Sequence, residues 1–330
     1  MKVAIVKLSA MGDIIHAMVA LQYIKKANPS LHIDWIVEKG FTSVLEGNPH
    51  INNILPVNLK ILKKDKSKIF EQIRLIREYA NTNYDLVIDA QGLLKSALTA
   101  TLLGKNRAGF SKDSIREGIA SFFYKHRVSI PYDANTIDRN AKVLSEPLGM
   151  EITTQMIRDK EPFLFYDHTK VISGFHSTKK NIIFVIGSTW ESRNYPKEKF
   201  LQIANALKEQ VLVVWGSEEE RQNALWIEEH SVYAKALEKT NLKDLKVVIA
   251  KADLLIGNDT GPTHMAWGLN VPSITIFGPT PVNRVYETTI NKVVSSNSKV
   301  NHYKLNKNDF SIRHIDAKEI IDIAKGLLYA

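Results

Sequence analysis

The fold is decided by residues 254–268, which read LLIGNDTGPTHMAWG. An apolar strand is predicted over Leu254–Gly257 and a helix over Gly261–Gly268, with a short polar loop between them. Pro262 stands in the first helical turn, where no backbone N–H needs a partner. A strand that passes through a glycine-containing loop directly into a helix is the repeating unit of an open α/β sheet.

The same alternation of strands and helices runs outward from this stretch in both directions. The predicted strands are near-continuous apolar runs, which is typical of parallel sheets covered on both faces. They lie at Lys2–Leu8, His32–Val37, Asn53–Val57, Asp85–Asp89, Asn181–Ile186, Val211–Trp215 and Ser273–Phe277. Helices are predicted at Asp13–Ala27, Phe41–Glu46, 66–81, Lys197–Glu209, Glu218–Glu229, Leu242–Ala250 and Ala317–Tyr329. We therefore expect doubly wound α/β architecture.

The length of 330 residues favours two domains. We predict a Rossmann-like domain over 1–165, a polar linker over 166–180 and a second Rossmann-like domain over 181–315. The last helix, 316–330, is free to pack back on the first domain. Two such halves would face a central cleft, and open α/β sheets bind ligands at the carboxyl ends of their strands.

Composition excludes several classes of chemistry. The chain has no cysteine, so disulfides, thiolate metal sites and cysteine nucleophiles are ruled out. No Gly-x-Gly, Asp-x-Asp or His-Glu-x-x-His occurs, which argues against dinucleotide enzymes and against a metal site. No apolar run is long enough to span a membrane, and Lys7 interrupts the apolar N-terminus. We expect a cytoplasmic protein.

The positive charge is concentrated in the N-terminal half. The net charge is +9, with +5 in residues 60–77 and +4 in residues 105–127. A single basic run is usually a solvated face. Two runs in one half favour an anionic partner, which could be nucleic acid, a membrane surface or a phosphorylated substrate. No recognised nucleic-acid-binding motif occurs, so we expect no nucleic-acid partner.

Phosphate binding by helix N-termini remains, and the loop before the helix at Gly261 is the strongest candidate. The free amides near Thr260 and Gly261, together with the helix dipole, favour a phosphate. Asp259 would hold sugar hydroxyls or cap the helix. His264 is either a packed helix histidine or a ligand contact.

Other strand ends would reach the same crevice. Ser188, Thr189 and Arg193 follow one strand and form either a diphosphate clamp or a turn with a solvated arginine. Glu218 follows the next strand and is either a ribose ligand or an acid in the first turn of its helix. The turn at Phe277–Thr280 is of the same kind.

A loop over Lys7–Asp13 leads into the first helix of the N-terminal half. The carboxylate of Asp13 at this strand end has two interpretations. It is either a general base facing the cleft or a helix N-terminal acid.

These motifs resemble those of the lipopolysaccharide heptosyltransferases of glycosyltransferase family 9, most closely the heptosyltransferase I group. The matching segments run in order over most of the chain: 6–16, 34–38, 87–96, 116–124, 259–264 and 274–280. The resemblance implies a GT-B fold and transfer of heptose, with inversion, from ADP-heptose to the Kdo of Kdo-lipid A. It implies no metal and no cofactor beyond the donor. It also implies action at the cytoplasmic leaflet of the inner membrane.

Carried over by position, the resemblance assigns roles to named residues. Asp13 matches the general base, and the C-terminal domain would bind the donor. The implied donor contacts are Ser188, Thr189, Glu218, Asp259, Thr260, Gly261 and His264. Arg193 stands where the heptosyltransferase I group commonly has lysine, which keeps the charge but changes the diphosphate geometry. The implied acceptor contacts are Lys60, Lys64, Lys95 and Arg116.

Three other readings stay open on the sequence. One is another GT-B glycosyltransferase, resembling heptosyltransferase II or using a different nucleotide-sugar. One is a nucleotide-sugar epimerase, which would need a nicotinamide cofactor. The remote one is a non-enzymatic binder of nucleic acid or an anionic surface, suggested by the high pI of about 9.3.

Overall fold

The structure is a computed structural model that describes residues 1–329. It divides into two compact units, residues 1–163 and Leu164 onward. Each unit has its own six-stranded parallel sheet with helices. The division falls two residues before the predicted end of the first domain. Residues 166–180, predicted as a linker, form no helix or strand.

The sheet of unit 1 has the order β3-β2-β1-β4-β5-β6. Its strands are β1 Lys2–Val6, β2 His32–Glu38, β3 Asn53–Val57, β4 Leu86–Asp89, β5 Arg107–Phe110 and β6 His126–Val128. Its helices are α1 Met11–Ala27, α2 Thr42–Leu45, α3 Ile69–Ala80, α4 Leu94–Leu103, α5 Thr136–Ser145 and α6 Thr154–Arg158. Short 3-10 helices include Lys39–Phe41, Leu59–Lys63, Lys66–Lys68, Lys112–Ser114, Gly118–Phe123 and Glu146–Leu148. The helix predicted over 66–81 thus begins as a 3-10 turn.

The sheet of unit 2 has the order β12-β11-β10-β7-β8-β9. Its strands are β7 Asn181–Val185, β8 Gln210–Val214, β9 Ala234–Ala236, β10 Leu254–Asn258, β11 Ser273–Phe277 and β12 Asn291–Ser295. Its helices are α7 Lys197–Leu207, α8 Glu218–His230, α9 Leu242–Ala250, α10 Gly261–Gly268 and α11 Ala317–Leu328. The 3-10 helices are Glu191–Arg193, Val282–Arg284 and Ser311–His314.

The C-terminal helix belongs to unit 2. Helix α11 lies against α7 and beside β10, β11 and β12. Its apolar side chains Ile320, Ala324 and Leu328 are part of the buried core of that unit. These three positions are four residues apart and therefore share one helix face. Helix α11 therefore contributes to the core of unit 2.

The strand orders fix where each unit can bind a ligand. In unit 1 the chain builds β2 and β3 on one side of β1 and then crosses to add β4 on the other. In unit 2 the same reversal falls between β7 and β10. Loops at the carboxyl ends of strands at such a switch point leave a crevice open to ligands. Among residues 1–329, no helix is long and apolar enough to cross a membrane.

Candidate active site

The switch point of unit 2 is organised around Asp259, which directly follows β10. Its Oδ2 accepts hydrogen bonds from Arg193 Nη2 at 2.7 Å and from Thr280 Oγ1 at 2.9 Å. Its Oδ1 accepts from His264 Nε2 at 3.1 Å. Arg193 Nη2 also donates to the Asp259 carbonyl oxygen. The carboxylate therefore joins the ends of β7, β10 and β11 and does not cap α10, which begins without a side-chain cap.

Positive charge keeps this carboxylate ionised although it is buried. Burial by itself raises the pKa of Asp259, but the hydrogen bond from His264 and the charges of Arg193 and Arg284 outweigh that effect. The net result is a pKa far below the usual range. Two arginines and the N-terminus of α10 thus give this strand end a positive potential around one buried anion.

Backbone packing below the carboxylate is equally constrained. Asn258, fully buried, donates to the Ile186 carbonyl oxygen at 2.7 Å and accepts from the Tyr195 N–H at 3.0 Å. A Cβ on Gly257 would lie 2.6 Å from Val185 Cβ and 3.0 Å from the Val185 carbonyl oxygen. Glycine and asparagine at these positions let β10 approach the loop after β7 closely.

The loop after β7 supplies polar groups with no partner inside the protein. The buried side-chain atoms Ser188 Oγ, Ser192 Oγ and Asn194 Oδ1 have no hydrogen-bond partner. Buried polar atoms normally have one, so their arrangement suits a polar ligand or water. Thr189 in the same loop is exposed. Ser188 and Asn194 line a cavity of about 530 Å³ within unit 2.

The other wall of this cavity is the start of α8. Ser217 caps α8 by accepting from the Glu220 N–H at 3.2 Å, and both residues line the cavity. Glu220 Oε2 accepts from the Gly216 N–H at 2.7 Å. Glu218 lies at the same helix start, where it is exposed and paired with Arg221 at 3.0 Å. Its pKa is lowered by hydrogen bonds from Gln222 and Arg221.

The switch point of unit 1 holds Asp13, in the first turn of α1. The half-buried carboxylate accepts a hydrogen bond from the Ala10 N–H at 3.2 Å. The loop before it is held by Gln91, whose Oε1 accepts from the Leu8 and Ser9 N–H groups, each at 3.0 Å. The Asp13 carboxylate therefore accepts a hydrogen bond from the residue that precedes α1. The loop before α1 is in turn held by Gln91 at the carboxyl ends of β1 and β4.

A buried charge network lies beneath this loop. Lys7 Nζ donates to the Ala90 carbonyl oxygen at 2.8 Å and to Asn140 Oδ1 at 2.9 Å. Burial lowers the pKa of Lys7, while the charges of Asp13 and Asp89 oppose that shift. Burial raises the pKa of Asp89, although Tyr124 Oη donates to its Oδ2 at 2.6 Å. These hydrogen bonds between buried groups connect the segments at the carboxyl ends of β1 and β4.

Basic side chains surround a buried glutamate beside the same loop. The Glu38 N–H donates to the Leu8 carbonyl oxygen at 3.2 Å. Burial raises the pKa of Glu38, against the lowering effects of the Lys60 N–H and of the Lys95 and Lys60 charges. Lys60 and Lys95 are thus both close to the end of β2. Lys60 Nζ also lies 4.4 Å from the centre of the Phe41 ring.

The remaining two predicted acceptor residues lie on adjoining segments. Lys64 is exposed at the end of the 3-10 helix that carries Lys60. Arg116 is exposed beside Glu117, whose Oε2 accepts from the Leu94 N–H at 2.8 Å at the start of α4. Arg116 therefore lies near the helix end that carries Lys95.

Sequence reasoning overlooked several residues that hold these sites together. Thr280 and Gln91 stood in segments already singled out, and their places after strands were the available signal. Asn258 and Lys7 also stood in such segments, but nothing local indicated their partners, which lie far away in sequence. Arg284 gave no signal. Among residues 1–329, no group of three or more His, Cys, Asp or Glu side chains could hold a metal ion.

Comparison with known proteins gives the same fold and a family. Residues 72–313 match the model of glycosyltransferase family 9 (heptosyltransferase). A lipopolysaccharide heptosyltransferase 1 of Campylobacter coli is 35% identical, over 99% of both chains. A lipopolysaccharide heptosyltransferase 1 of Pseudomonas aeruginosa is 30% identical, over 85% of this chain and 79% of the relative.

A solved structure has the same architecture from end to end. It is described as E. coli heptosyltransferase WaaC with ADP, and it superposes with a TM-score of 0.83 over 99% of this chain and 100% of the other. Its sequence identity is 24%, so the match shows the fold alone. The GT-B prediction is confirmed at that level.

Proposed function

The chain belongs to glycosyltransferase family 9, and we propose that it transfers a heptose from ADP-heptose to the Kdo of Kdo-lipid A. The observation that carries this proposal is the 35% identity to a lipopolysaccharide heptosyltransferase 1 over 99% of both chains. Because the alignment covers 99% of both chains, it spans both units. The proposed division of work assigns the donor to unit 2 and the acceptor to unit 1.

The donor end rests on the charge arrangement around Asp259. An ADP diphosphate needs cations and amide donors when no metal is supplied. Arg193, Arg284 and the amides at Thr260 and Gly261 provide them, and Asp259 holds Arg193 in a fixed orientation. Asp259, Thr280 and His264 are therefore proposed as positioning residues rather than direct diphosphate ligands.

The nucleoside end rests on the cavity between the β7 loop and α8. The unpartnered Ser188 Oγ and Asn194 Oδ1 lie where a ribose or adenine could bind through hydrogen bonds. Thr189 stands beside Ser188. Glu218 would accept from the ribose hydroxyls once it gives up its pairing with Arg221. Three acidic residues at this helix start suit hydroxyl groups better than phosphates.

The proposed reaction needs one base. Asp13 takes the proton of the Kdo hydroxyl as its oxygen attacks the anomeric carbon of the heptose. The bond from that carbon to the diphosphate oxygen breaks, and ADP leaves with the electron pair. Attack opposite the leaving group inverts the anomeric centre. Charge that develops on ADP is stabilised by Arg193 and the α10 amides. No cofactor beyond the donor takes part.

The acceptor end rests on the basic residues of unit 1. Lys60, Lys64, Lys95 and Arg116 would bind the phosphates and carboxylates of a Kdo-lipid A headgroup. Because that acceptor is a lipid, the proposal places the protein in the cytoplasm, on the inner membrane surface.

The test is ADP release from ADP-heptose with Kdo-lipid A in detergent micelles. The proposal expects acceptor-dependent release, and mass spectrometry of the lipid should show one added heptose. Release only with an acceptor that already carries heptose would point to heptosyltransferase II-like activity and contradict the proposed acceptor. Release only with another nucleotide-sugar would contradict the proposed donor.

A further inference from the structure

Unit 1 exposes a group of large apolar side chains on three neighbouring elements. They are Ile69 and Phe70 on α3, Leu94 and Leu98 on α4, and Ile119 and Phe122 on the 3-10 helix 118–123. Phe70 is 79% exposed and Phe122 69%. We call these six residues the apolar face. The other exposed large apolar side chains of residues 1–329 are Met1 in unit 1 and Val171, Leu225, Val232, Val282, Tyr303 and Tyr329 in unit 2.

The three elements touch one another, with α4 in the middle. Helix α4 contacts both α3 and the 3-10 helix 118–123. The hydrogen bond from the Leu94 N–H to Glu117 joins the start of α4 to the residue before that 3-10 helix. Leu94 and Leu98 are four residues apart and share one helix side. Apolar groups concentrated in this way on a protein surface mark an interaction site.

The segments that flank the apolar face carry most of the excess positive charge. Residues 60–77, which contain α3, carry seven basic and two acidic side chains. Residues 105–127, which contain the 3-10 helix, carry six basic and two acidic side chains. In α4, Lys95 stands next to Leu94. Apolar side chains with basic residues around them are suited to the surface of an anionic bilayer, where acyl chains lie beneath negative headgroups.

We propose that the apolar face is the surface by which this protein docks on an anionic lipid bilayer. Phe70 and Phe122 insert at the headgroup boundary, and the lysines of residues 63–68 and 112–125 contact lipid phosphates. The choice of a bilayer over a protein partner rests on the proposed function, because the acceptor would be a lipid. Lys95 on α4 belongs to both regions, so docking would bring the acceptor-binding cations to the membrane surface.

Vesicle co-sedimentation tests this inference directly. The wild type should bind vesicles of phosphatidylglycerol and phosphatidylethanolamine, and should bind phosphatidylcholine vesicles at least tenfold more weakly. The double variant Phe70→Ser/Phe122→Ser should lose at least tenfold in affinity for the anionic vesicles. The matched control Val171→Ser/Val232→Ser changes two exposed apolar residues of unit 2 and should bind like the wild type. Circular dichroism would establish that each variant folds.

Two outcomes would overturn the inference. One is equal vesicle binding by the wild type and the Phe70→Ser/Phe122→Ser variant. The other is a wild-type dimer, seen by sedimentation velocity and lost in that variant, with no vesicle binding, which would mean that a second copy covers the face.

Activity measurements separate this inference from the proposed function. The double variant should match the wild type on a deacylated, water-soluble Kdo acceptor and be at least tenfold slower on the acceptor in vesicles. Equal rates for both proteins on the vesicle acceptor would contradict a docking role. A wild type that transfers no heptose to either acceptor would instead contradict the proposed function, while the vesicle-binding result would still decide the inference.

Discussion

Arg193 and Asp259 form an ion pair across the switch point of unit 2, with Arg193 Nη2 2.7 Å from Asp259 Oδ2. The arginine side chain is 12% exposed and the aspartate 2%. The pair joins the loop after β7 to the end of β10, two strands that are neighbours in space and about 70 residues apart in sequence. It fixes a guanidinium where the proposed diphosphate would lie.

Removal of Arg193 should destabilise unit 2 markedly. Arg193→Ala leaves the Asp259 carboxylate buried with one partner fewer, which costs about 3 kcal/mol of unfolding free energy. Arg313→Ala is the matched control, because its pair with Glu191 at 2.9 Å is exposed on both sides. Such pairs contribute at most about 1 kcal/mol. Urea unfolding measures both losses, and equal losses would show that the pair is not buried in solution.

The depressed pKa of Asp259 predicts how its stabilisation varies with pH. A carboxyl group with a lowered folded pKa contributes fully above its unfolded pKa of about 3.9, and the contribution is lost as pH falls towards the folded pKa. The stability difference between wild type and Asp259→Asn should therefore be constant from about pH 7 to pH 5 and shrink below about pH 4. A difference that grows on acidification would contradict the charge assignment.

Gly257 should tolerate no side chain. The Cβ of Gly257→Ala would lie 2.6 Å from Val185 Cβ and 2.7 Å from Thr263 Oγ1, so β10 or β7 must shift. Overpacking of this kind costs about 1–3 kcal/mol. It should also weaken ADP binding, because β10 carries Asp259. Gly40→Ala meets nothing within 4 Å and serves as the control in thermal unfolding and ADP titration. Unchanged ADP affinity in Gly257→Ala would show that the packing at Gly257 does not affect ADP binding.

The central strands of both sheets were predictable from sequence because burial on both faces makes them continuous apolar runs. Strands β5, β6, β9 and β12 were not predicted. Arg107–Phe110 and His126–Val128 are four and three residues long and mix polar and apolar residues, so no continuous apolar run marks them. The α-helix predicted from residue 66 begins at Ile69 in the structure. The 3-10 turn at Lys66–Lys68 has no sequence periodicity that separates it from α3.

The positions of the candidate site residues near strand ends were predictable, and the contacts that they make were not. Asp259 directly follows β10, and Asp13 and Arg193 lie in the segments that follow β1 and β7, which is a local pattern. Lys7 and Asn140 meet at 2.9 Å although 133 residues separate them. No spacing in one sequence encodes such a contact. The sequence also could not show that both carboxylate oxygens of Asp259 accept hydrogen bonds from other side chains.

Loss of Lys95 should affect the acceptor and spare the donor. Lys95→Ala removes a cation at the carboxyl end of the sheet, and a charge-assisted hydrogen bond to a phosphate is worth about 1.5–3 kcal/mol. The acceptor KM should rise about 10-fold to 100-fold, with the ADP-heptose KM unchanged. Lys105→Ala is the control, because Lys105 is exposed and precedes β5, at the amino-terminal ends of the strands. A change in the donor KM alone would show that Lys95 contacts the donor and not the acceptor.

We propose Asp13 as the base of a heptosyl transfer from ADP-heptose to Kdo-lipid A. The most direct measurement is acceptor-dependent ADP release by the wild type and by Asp13→Asn, with ADP affinity measured in parallel. We expect release by the wild type and a loss of about 100-fold or more in turnover in Asp13→Asn, at unchanged ADP affinity. Turnover in Asp13→Asn equal to that of the wild type would contradict it.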